Sequence, residues 1–555
     1  GNDFGTATVD TATVRFNNSP VDYELAPITV DINNVDAALT PGLDTKSVSL
    51  VKLQVQFKNL FTLSGDFGLT VTGVFPTTEI RAVADNVSIG LVSGGFSVGA
   101  DAGTLAMLIN ADRTTAITAT GAVFLTGAGF GSASATLVTV NFNNTGVDYS
   151  AAGAAETITV DTISRDVVAA DGVSSVSIAG LSVVLGDFAT ITGNFAFSMD
   201  NTGLVTAVAN TVGVLIEAGD FQVGMTDGDL GLVINPDGTK ALQAGGSPFL
   251  VGGGFTNISA TRVEVAYNDT GKAYTGITLT IDSISFTYGS LEAIDIQRAT
   301  VLGLNARFGD FVTLGGDFQF ERNVVGTDVK MLISANGAFI FLGSGQGTSD
   351  AAGVQIDNVR LGLVIFQTGA TTSTFAVEAS GDGALVGVDG LTLSGSLALR
   401  INGTGALVSE VITLGAADIP IEFIAGEETL KRVSGSILIE LADFLAFSGN
   451  FAFELLDTVS GTVTDTVIRI AATQVTAFLG SGRGTLDEAG VQFSQGTLGL
   501  AIFKSVDSTA PAGTAVAATL ALTASGAGRL IGVDGIELSG TLAAKINTTG
   551  IAVNQ

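Results

Sequence analysis

Apolar and polar residues alternate along much of the chain with a period of two. The segments Asn450–Glu454 (NFAFE), Asp317–Glu321 (DFQFE) and Arg262–Tyr267 (RVEVAY) each place an apolar side chain at every second position. Successive side chains of a β-strand point to opposite faces of the sheet, so this period predicts strands with one face in a core and the other in water. Val, Ile, Thr and Phe, which suit a pleated surface, are abundant. We find no segment with the period of an amphipathic helix, and we therefore predict an all-β protein.

Two sequence markers recur along the chain. The first is a strand that ends in an Asn turn, at Val14–Pro20, Val140–Gly146, Val265–Gly271, Leu399–Gly405 and Ala544–Gly550. The second is a Phe that follows Gly-Asp or Gly-Asn, at Ser64–Leu69, Thr192–Phe197, Gly315–Phe320 and Ser448–Phe453. The spacing between successive Asn markers, 125 to 145 residues, predicts four β repeats and the start of a fifth, at 1–132, 133–257, 258–391, 392–536 and 537–555.

Turn residues divide each repeat into short strands. Asn-Gly, Asp-Gly and Asn-Thr-Gly tolerate positive φ and close tight hairpins, and turn signals every 8–12 residues or so predict about ten strands in each repeat. Two architectures of tandem antiparallel β modules fit this pattern: a string of β-sandwiches, or a continuous sheet wound as an elongated solenoid or ribbon. The chain has only 8 prolines and no evident linker between repeats. This favours modules that share strand edges.

The composition excludes several kinds of site. The 555 residues include no Cys, His or Trp, so disulfides, thiolate nucleophiles, Ser-His-Asp triads and the usual zinc sites are excluded. We therefore expect no enzymatic activity. Asp and Glu number 53 against 23 Lys and Arg, which gives a net charge of −30. A chain of this charge repels nucleic acid and attracts divalent cations.

The ends of the sequence and its apolar runs bear on targeting. No apolar run approaches the roughly 20 residues of a membrane-spanning helix, so we expect no membrane span. The chain begins at Gly1 without a signal peptide, which suggests a processed product or an excised segment. Gln555 follows the fifth Asn turn closely, and we expect the natural chain to continue beyond it.

The Asn turns carry a glycosylation signature. An N-x-[ST] motif begins at each of the recurring asparagines, Asn17, Asn143, Asn268, Asn402 and Asn547. One interpretation is a glycan at the same corner of each repeat. The other is a turn in which Asn adopts the left-handed backbone region and a hydroxyl closes the loop. We favour the turn, because the motif needs only a turn to explain it.

Acidic residues lie near several turns and are candidate calcium ligands. The candidates are Asp227, Asp229, Asp237, Asp350, Asp357, Asp382, Asp389, Asp487 and Asp534. Ca²⁺ takes about six to eight oxygen ligands, often from such loops, so Ca²⁺ is the one cofactor that the sequence suggests. None of these segments matches an EF-hand loop, and solvated acidic turns are the interpretation that we favour.

The aligned repeats resemble a known kind of protein. Leu361–Phe366 (LGLVIF) and Ala384–Gly405 (ALVGVDGLTLSGSLALRINGTG) resemble modules of very large bacterial surface or secreted tandem-repeat proteins, which are adhesin-like. The resemblance covers essentially the whole chain. It implies an extracellular or cell-surface location and a repeat architecture more than any chemistry, because that family has little assigned activity. The glycine-aspartate nonapeptides of calcium-binding toxins are absent from this sequence.

These observations predict an extracellular structural protein, a subunit or segment of a cell-surface filament, stalk or matrix fibre. The alternative is a calcium-dependent adhesin or a carbohydrate-binding repeat array. The expected partners are other copies of the chain or neighbouring repeats of a longer chain, and in the alternative also surface glycans.

Overall fold

The protein is built from β-strands. The structure, a computed structural model, describes residues 4–32, 35–42, 45–57, 60–73, 77–293, 295–308, 312–325, 328–348, 351–368, 372–388, 391–414, 417–441, 445–460, 463–483, 485–507, 518–533, 535–536 and 539–554. These residues form 38 strands and no helix, which confirms the all-β prediction. The described part of the chain accordingly holds no helix that is long and apolar enough to cross a membrane.

The strands are numbered in chain order. The first eleven are β1 (Phe4–Thr8), β2 (Thr11–Phe16), β3 (Ile28–Ile32), β4 (Val35–Leu39), β5 (Lys46–Phe57), β6 (Phe61–Thr72), β7 (Glu79–Ser93), β8 (Phe96–Ile109), β9 (Thr115–Thr126), β10 (Phe130–Ser134) and β11 (Leu137–Asn143). The next nine are β12 (Glu156–Val160), β13 (Ile163–Val167), β14 (Ser174–Leu185), β15 (Ala189–Met199), β16 (Val205–Ala218), β17 (Phe221–Ile234), β18 (Lys240–Val251), β19 (Phe255–Ser259) and β20 (Arg262–Asn268). The third group is β21 (Tyr274–Thr275), β22 (Thr278–Ile281), β23 (Ile284–Thr287), β24 (Ser290–Leu291), β25 (Ile296–Phe308), β26 (Val312–Val325), β27 (Asp328–Ser344), β28 (Ala352–Thr368) and β29 (Thr372–Val386). The last nine are β30 (Leu391–Asn402), β31 (Val408–Leu414), β32 (Ala417–Phe423), β33 (Lys431–Leu441), β34 (Leu445–Ser460), β35 (Val463–Ser481), β36 (Ala489–Asp507), β37 (Thr519–Ile531) and β38 (Ser539–Asn547).

Antiparallel pairing between strands that follow one another in the chain builds a 28-stranded sheet. The remaining strands form two-stranded pairs of their own: β3–β4, β12–β13, β21–β24, β22–β23 and β31–β32. The sheet continues where one repeat meets the next, because β11 pairs with β9 on one side and with β14 on the other. The strand β30 pairs in the same way with β29 and β33. Tandem antiparallel modules are therefore confirmed, and of the two predicted architectures the structure has the continuous sheet.

The chain divides into two compact units. The first contains Gly1–Ile216, Gly224–Ser247 and Glu264–Gln297, and the second contains Glu217–Val223, Pro248–Val263 and Arg298–Gln555. These limits do not coincide with the repeat limits read from the sequence, which stay a prediction.

A β-bulge interrupts most long strands near their middle. In β8, Phe96, Val98 and Ala100 are buried, and the next inward residue is Gly103, so the alternation skips one position. Ala102 occupies this bulge with a φ of 48°, and the register between β8 and β9 shifts there. The extra residue bends the strand and turns the apolar side chains that follow it back towards the core.

Part of the sheet is buried on both faces, contrary to the expectation of one face in water. Leu105 and Ala106, neighbours on β8, are each 1% exposed. The pair β12–β13 folds back over this sheet, where Ile158 and Val160 join Val83 and Ala106 in one apolar cluster. A second apolar layer thus covers the face that alternation alone assigns to solvent.

Candidate functional site

The recurring asparagine closes a corner of the fold. Asn143, the last residue of β11, is 1% exposed. Its Nδ2 donates hydrogen bonds to the carbonyl oxygens of Val147 (2.7 Å) and Ala169 (2.9 Å). Its Oδ1 accepts from the N and the Oγ1 of Thr145 (3.0 and 2.8 Å). Val147 lies where the chain leaves the sheet and Ala169 where it returns, so one side chain ties both ends of the intervening segment together.

The same hydrogen bonds recur at three other asparagines. They are Asn17, Asn268 and Asn402. In each, Nδ2 donates a hydrogen bond to the carbonyl oxygen four residues further on and another to a carbonyl oxygen 24 or 25 residues further on. The Oδ1 atom accepts from the backbone N and the hydroxyl of the Ser or Thr of the motif. All three are at most 4% exposed. Asn547 is exposed and keeps the bond to the carbonyl oxygen of Ile551 (2.8 Å) and the bonds from Thr549.

This geometry favours the turn interpretation of the N-x-[ST] motif, although glycosylation stays a prediction. A glycan on Asn143 would replace an amide hydrogen that bonds a carbonyl, at a position with almost no exposed surface. The left-handed backbone expected at the asparagine lies instead at the glycine three residues later, with a φ of 77° at Gly146 and 71° at Gly405. The side chain of the asparagine, rather than its backbone, makes the turn.

The corners at Asn143, Asn268 and Asn402 each lead into a hairpin that covers the sheet, which the sequence did not reveal. We call β12–β13, β22–β23 and β31–β32 the lids. The lid β31–β32 places Ile412, Ile419 and Ile421 in a cluster with Leu332 and Val364 of the sheet. The lid β22–β23 likewise places Ile281 in a cluster with sheet residues of β15 and β16.

A glycine lies under each lid. A Cβ atom at Gly362 would come within 2.8 Å of Cγ2 of Ile419, and one at Gly68 within 3.2 Å of Cγ1 of Val160. At Gly231 the ring of Phe286 occupies the same space. Lids therefore pack directly onto the sheet backbone at a glycine, and a larger residue would crowd the lid side chain above it.

Ion pairs join lids to the sheet beneath them. Arg81 of β7 contacts Glu156 of β12 at 2.8 Å, and Lys330 of β27 contacts Glu410 of β31 at 2.5 Å. In both pairs the sheet supplies the cation and the lid the carboxylate. Arg165 of β13 makes a pair of the opposite sense with a sheet carboxylate. These contacts are partly exposed, so they set the position of a lid more than its stability.

The second sequence marker caps the bulges. Asn194 Oδ1 accepts a hydrogen bond of 2.9 Å from the N of Gly180, where the register between β14 and β15 shifts. Asn194 Nδ2 also donates to Oγ1 of Thr211 (3.0 Å). Asp66 and Asp317 accept the same bond, from Lys52 N (2.9 Å) and Gly303 N (2.8 Å). In these three of the four markers, the Asp or Asn thus satisfies a backbone N–H that the bulge removes from the strand ladder. Asn450 of the fourth marker instead bonds the side chains of Ser436 and Gln474.

The acidic candidates lie on separate turns and strands. Asp227 sits in the bulge of β17 with a φ of 50°, and Asp229 is exposed on the same strand. Asp237 closes its own turn, because Oδ1 accepts from the N and the Oγ1 of Thr239 (3.0 and 2.6 Å). These two bonds hold the pKa of Asp237 below its ordinary value.

The other described candidates also have polar neighbours. Asp357 accepts from Gln355 Nε2 and Asp382 from Asn358 Nδ2, each at 2.8 Å, and the N of Asp487 donates to Thr485 Oγ1 (3.3 Å). Asp350, Asp389 and Asp534 lie outside the described residues. Within the described part of the chain, no three acidic residues come together as a metal-binding group. Calcium binding stays a prediction.

An open groove lies on one face of β34–β38. Its volume is about 590 Å³, and its lining includes Phe453, Arg469, Ala471, Gly499 and Lys545. Ala471 and Gly499 are exposed, and a Cβ atom at Gly499 would meet nothing within 4 Å. The backbone of Gly499 is therefore open to solvent in this groove.

Comparison with known proteins adds no relative. No protein-family model matches the chain, and no curated protein matches it. The resemblance to bacterial surface repeat proteins stays a prediction.

Proposed function

We propose that the chain is an extracellular structural protein, a segment of a cell-surface filament, stalk or matrix fibre. The observation that carries this proposal is the way successive repeats are joined. The strand β11 lies between β9 and β14, and Phe142 on it pairs with Ile117 on one side and Ser174 on the other. Two repeats cannot separate there without breaking a row of backbone hydrogen bonds, each worth about 0.5–1.5 kcal/mol net.

The lids add a second connection between repeats. The lid β12–β13 follows the corner of Asn143 and packs on β7, β8 and β9, which precede that corner in the chain. Its apolar residues Ile158 and Val167 are fully buried. A module joined to its neighbour by strand pairing and by a buried lid resists extension better than one joined by a flexible linker.

Composition and polar contacts suit this role. A net charge of −30 keeps a large β-protein soluble outside a packed assembly. The polar residues that recur once per repeat bond to turns and bulges, as Asn143 and Asn194 do. We propose no enzymatic activity for the chain, since it has no His or Cys.

Force spectroscopy on single full-length chains tests the proposal. We expect discrete unfolding events at forces typical of load-bearing β modules, and a lower force in Phe142→Ala. Hydrogen exchange on the same variant should show reduced protection in both β9 and β14, because β11 pairs with both. The control Ile191→Ala, inside a single repeat, should loosen β14 to β16 and leave β9 unchanged. Extension without force peaks, or loss of protection confined to one side of β11, would contradict the proposal.

A further inference from the structure

Two corners of the fold bring a pair of residues together in the same way. The residue after the corner asparagine donates its backbone N–H to the carbonyl oxygen of the first residue of a neighbouring strand, Asn144 to Thr115 and Asp269 to Lys240, each at 3.1 Å. Its side-chain Oδ1 accepts a bond in return from the N of the same strand residue, at 2.7 Å for Asn144 and 2.5 Å for Asp269. Lys240 and Asp269 are therefore held beside each other by two hydrogen bonds that involve their own backbones.

The second of these pairs consists of groups that can react with each other. Thr115 and Asn144 carry a hydroxyl and an amide, whereas Lys240 and Asp269 carry an amine and a carboxyl group. The Nζ atom of Lys240 lies 3.3 Å from Oδ2 of Asp269, and the Lys240 side chain is only 7% exposed. Few water molecules can hydrate this ammonium group, so passing its proton to the adjacent carboxylate costs less than it would in water. The amine that results is a nucleophile next to a carboxyl carbon.

Tyr267 completes the site. Its hydroxyl donates a hydrogen bond of 3.1 Å to Oδ2 of Asp269, and the centroid of its ring lies 4.6 Å from Nζ of Lys240. Burial, together with the charge of Asp269, raises the pKa of Tyr267 to about 12, so the hydroxyl keeps its proton at neutral pH. Phe142 takes the same place before the other corner asparagine and has no hydroxyl. Lys240, Asp269 and Tyr267 thus join an amine, a carboxyl group and a group that can relay a proton between them.

We propose that the side chains of Lys240 and Asp269 condense into an amide bond. One proton of the ammonium passes to Oδ2 of the carboxylate, and Nζ attacks Cγ of Asp269. The negative charge that forms on Oδ1 keeps the hydrogen bond from the N of Lys240, which acts as an oxyanion hole. A second proton then moves from Nζ to Oδ2 through the hydroxyl of Tyr267, the bond between Cγ and Oδ2 breaks, and one water molecule leaves. The amide nitrogen keeps one hydrogen, and the reaction needs no oxidant or other reactant.

The fold supplies the fixed geometry that this reaction requires. Groups held in a reactive arrangement behave as if present at about 10⁵–10⁸ M. Asn268 lies between Tyr267 and Asp269 in the chain, is 0% exposed and makes four hydrogen bonds through its side chain. The backbone that carries Tyr267 and Asp269 therefore cannot turn away from Lys240.

The bond fastens the start of β18 to the end of β20. It closes a loop between two residues 29 positions apart, and force cannot extend a chain segment inside a covalent loop. Such a segment is about 100 Å long when fully extended, and this length would be missing from the stretched chain. The inference goes beyond the proposed function and does not depend on it, because the three side chains react in the same way whatever role the chain has.

Mass spectrometry of the full chain tests the proposal. We expect the folded wild type to be lighter than its sequence by the mass of one water molecule, and a tryptic digest to contain a branched peptide in which Lys240 is joined to Asp269. Lys240→Arg keeps the positive charge but has no amine, and it should have the full mass. Tyr267→Phe keeps the ring, and in freshly synthesised chain its bond should form at least tenfold more slowly. The ion pair Lys330–Glu410 is the matched control: at 2.5 Å it is closer, but its side chains are 26% and 21% exposed, and it should stay unlinked.

A cyclic imide at an aspartate loses the same mass, and hydroxylamine separates the two products. Hydroxylamine opens an imide and leaves an amide between side chains intact. A folded wild type of full mass, a loss of water that hydroxylamine reverses, or the same loss in Lys240→Arg would overturn the cross-link. The wild-type measurement needs no variant, so it decides the matter even if Lys240→Arg fails to fold. A missing cross-link would leave the force peaks of single chains in place, so its failure and that of the proposed structural role can be told apart.

Discussion

The buried asparagine at each corner should be one of the residues on which the fold most depends. Replacing Asn143 by Ala removes four hydrogen bonds. The carbonyl oxygen of Ala169 keeps the bond from the backbone N of Tyr149 (3.1 Å), so no buried group loses its last partner. Each of the four bonds contributes about 0.5–1.5 kcal/mol net, and Val147 and Thr145 can bond water instead, so we expect a total loss of about 2–4 kcal/mol in the local free energy of unfolding.

Asn143→Asp separates hydrogen bonding from size. A carboxylate keeps the acceptor for Thr145 but faces the carbonyl oxygens of Val147 and Ala169 with an oxygen instead of an NH₂ group. Burial and these two oxygens disfavour its charge, so the pKa of the new Asp should rise above the ordinary value of about 3.9. A raised pKa in the folded state means that stability is lost as the pH rises through it. The Asp variant should therefore be the least stable at pH 7 and recover towards pH 4.

Hydrogen exchange is the suitable assay, because unfolding of a repeat array is not a single two-state event. The amide of Asn143, which donates to Val173 O (2.9 Å), reports on the corner. A loss of about 2–4 kcal/mol corresponds to a decrease in protection of roughly one and a half to three orders of magnitude. The control Asn201→Ala changes an exposed turn asparagine and should have little effect. A loss below about 1 kcal/mol in Asn143→Ala, or equal behaviour of the Asp variant at pH 4 and pH 7, would refute the reasoning.

Four further predictions concern the bulges, turns and charges. Asn194→Ala removes the bonds to Gly180 N and Thr211 Oγ1. It should lower the local free energy of unfolding around Gly180 by about 1–2 kcal/mol in hydrogen exchange, and an unchanged protection there would contradict the capping of the bulge. Gly127→Ala should lower the melting temperature far more than Gly153→Ala. The two glycines have nearly the same φ, 84° and 79°, so the backbone strain is equal. A Cβ atom at Gly127 would collide with the backbone of Gly95, whereas one at Gly153 would meet nothing within 4 Å. The lowered pKa of Asp237 means that its stabilising effect is present above the ordinary value of 3.8 and is lost as the pH falls below it. In Asp237→Asn the melting temperature should therefore fall less steeply with pH in that range. The same dependence of melting temperature on pH in the variant and in wild type would contradict this role. Chelation with EDTA should leave the melting temperature unchanged, because the acidic turns are closed by their own hydrogen bonds, as the turn of Asp237 is. A large fall in melting temperature that Ca²⁺ reverses and Mg²⁺ does not would instead establish a structural calcium site.

Local pattern was sufficient to predict the strands and the turns. The alternation in Asp317–Glu321 predicts a strand, and the structure has β26 there with Phe318 and Phe320 both buried. The side-chain period and the turn chemistry act between near neighbours in the chain, so they can be read without knowledge of the rest. The turn at Asn143 was predicted for the same reason, since Thr145 and Val147 lie within four residues of it.

The sequence by itself therefore determined that the chain is all-β, that its modules repeat, and where its turns lie. Only the tertiary structure decided which strands leave the sheet as lids and which positions they bury. Gly362 and Gly499 have the same neighbours in sequence, yet one is buried and the other exposed. The difference comes from Ile419 and Ile421, about 60 residues further along the chain than Gly362. Burial depends on which distant segment packs against a residue, and the period of a single strand carries no information about that.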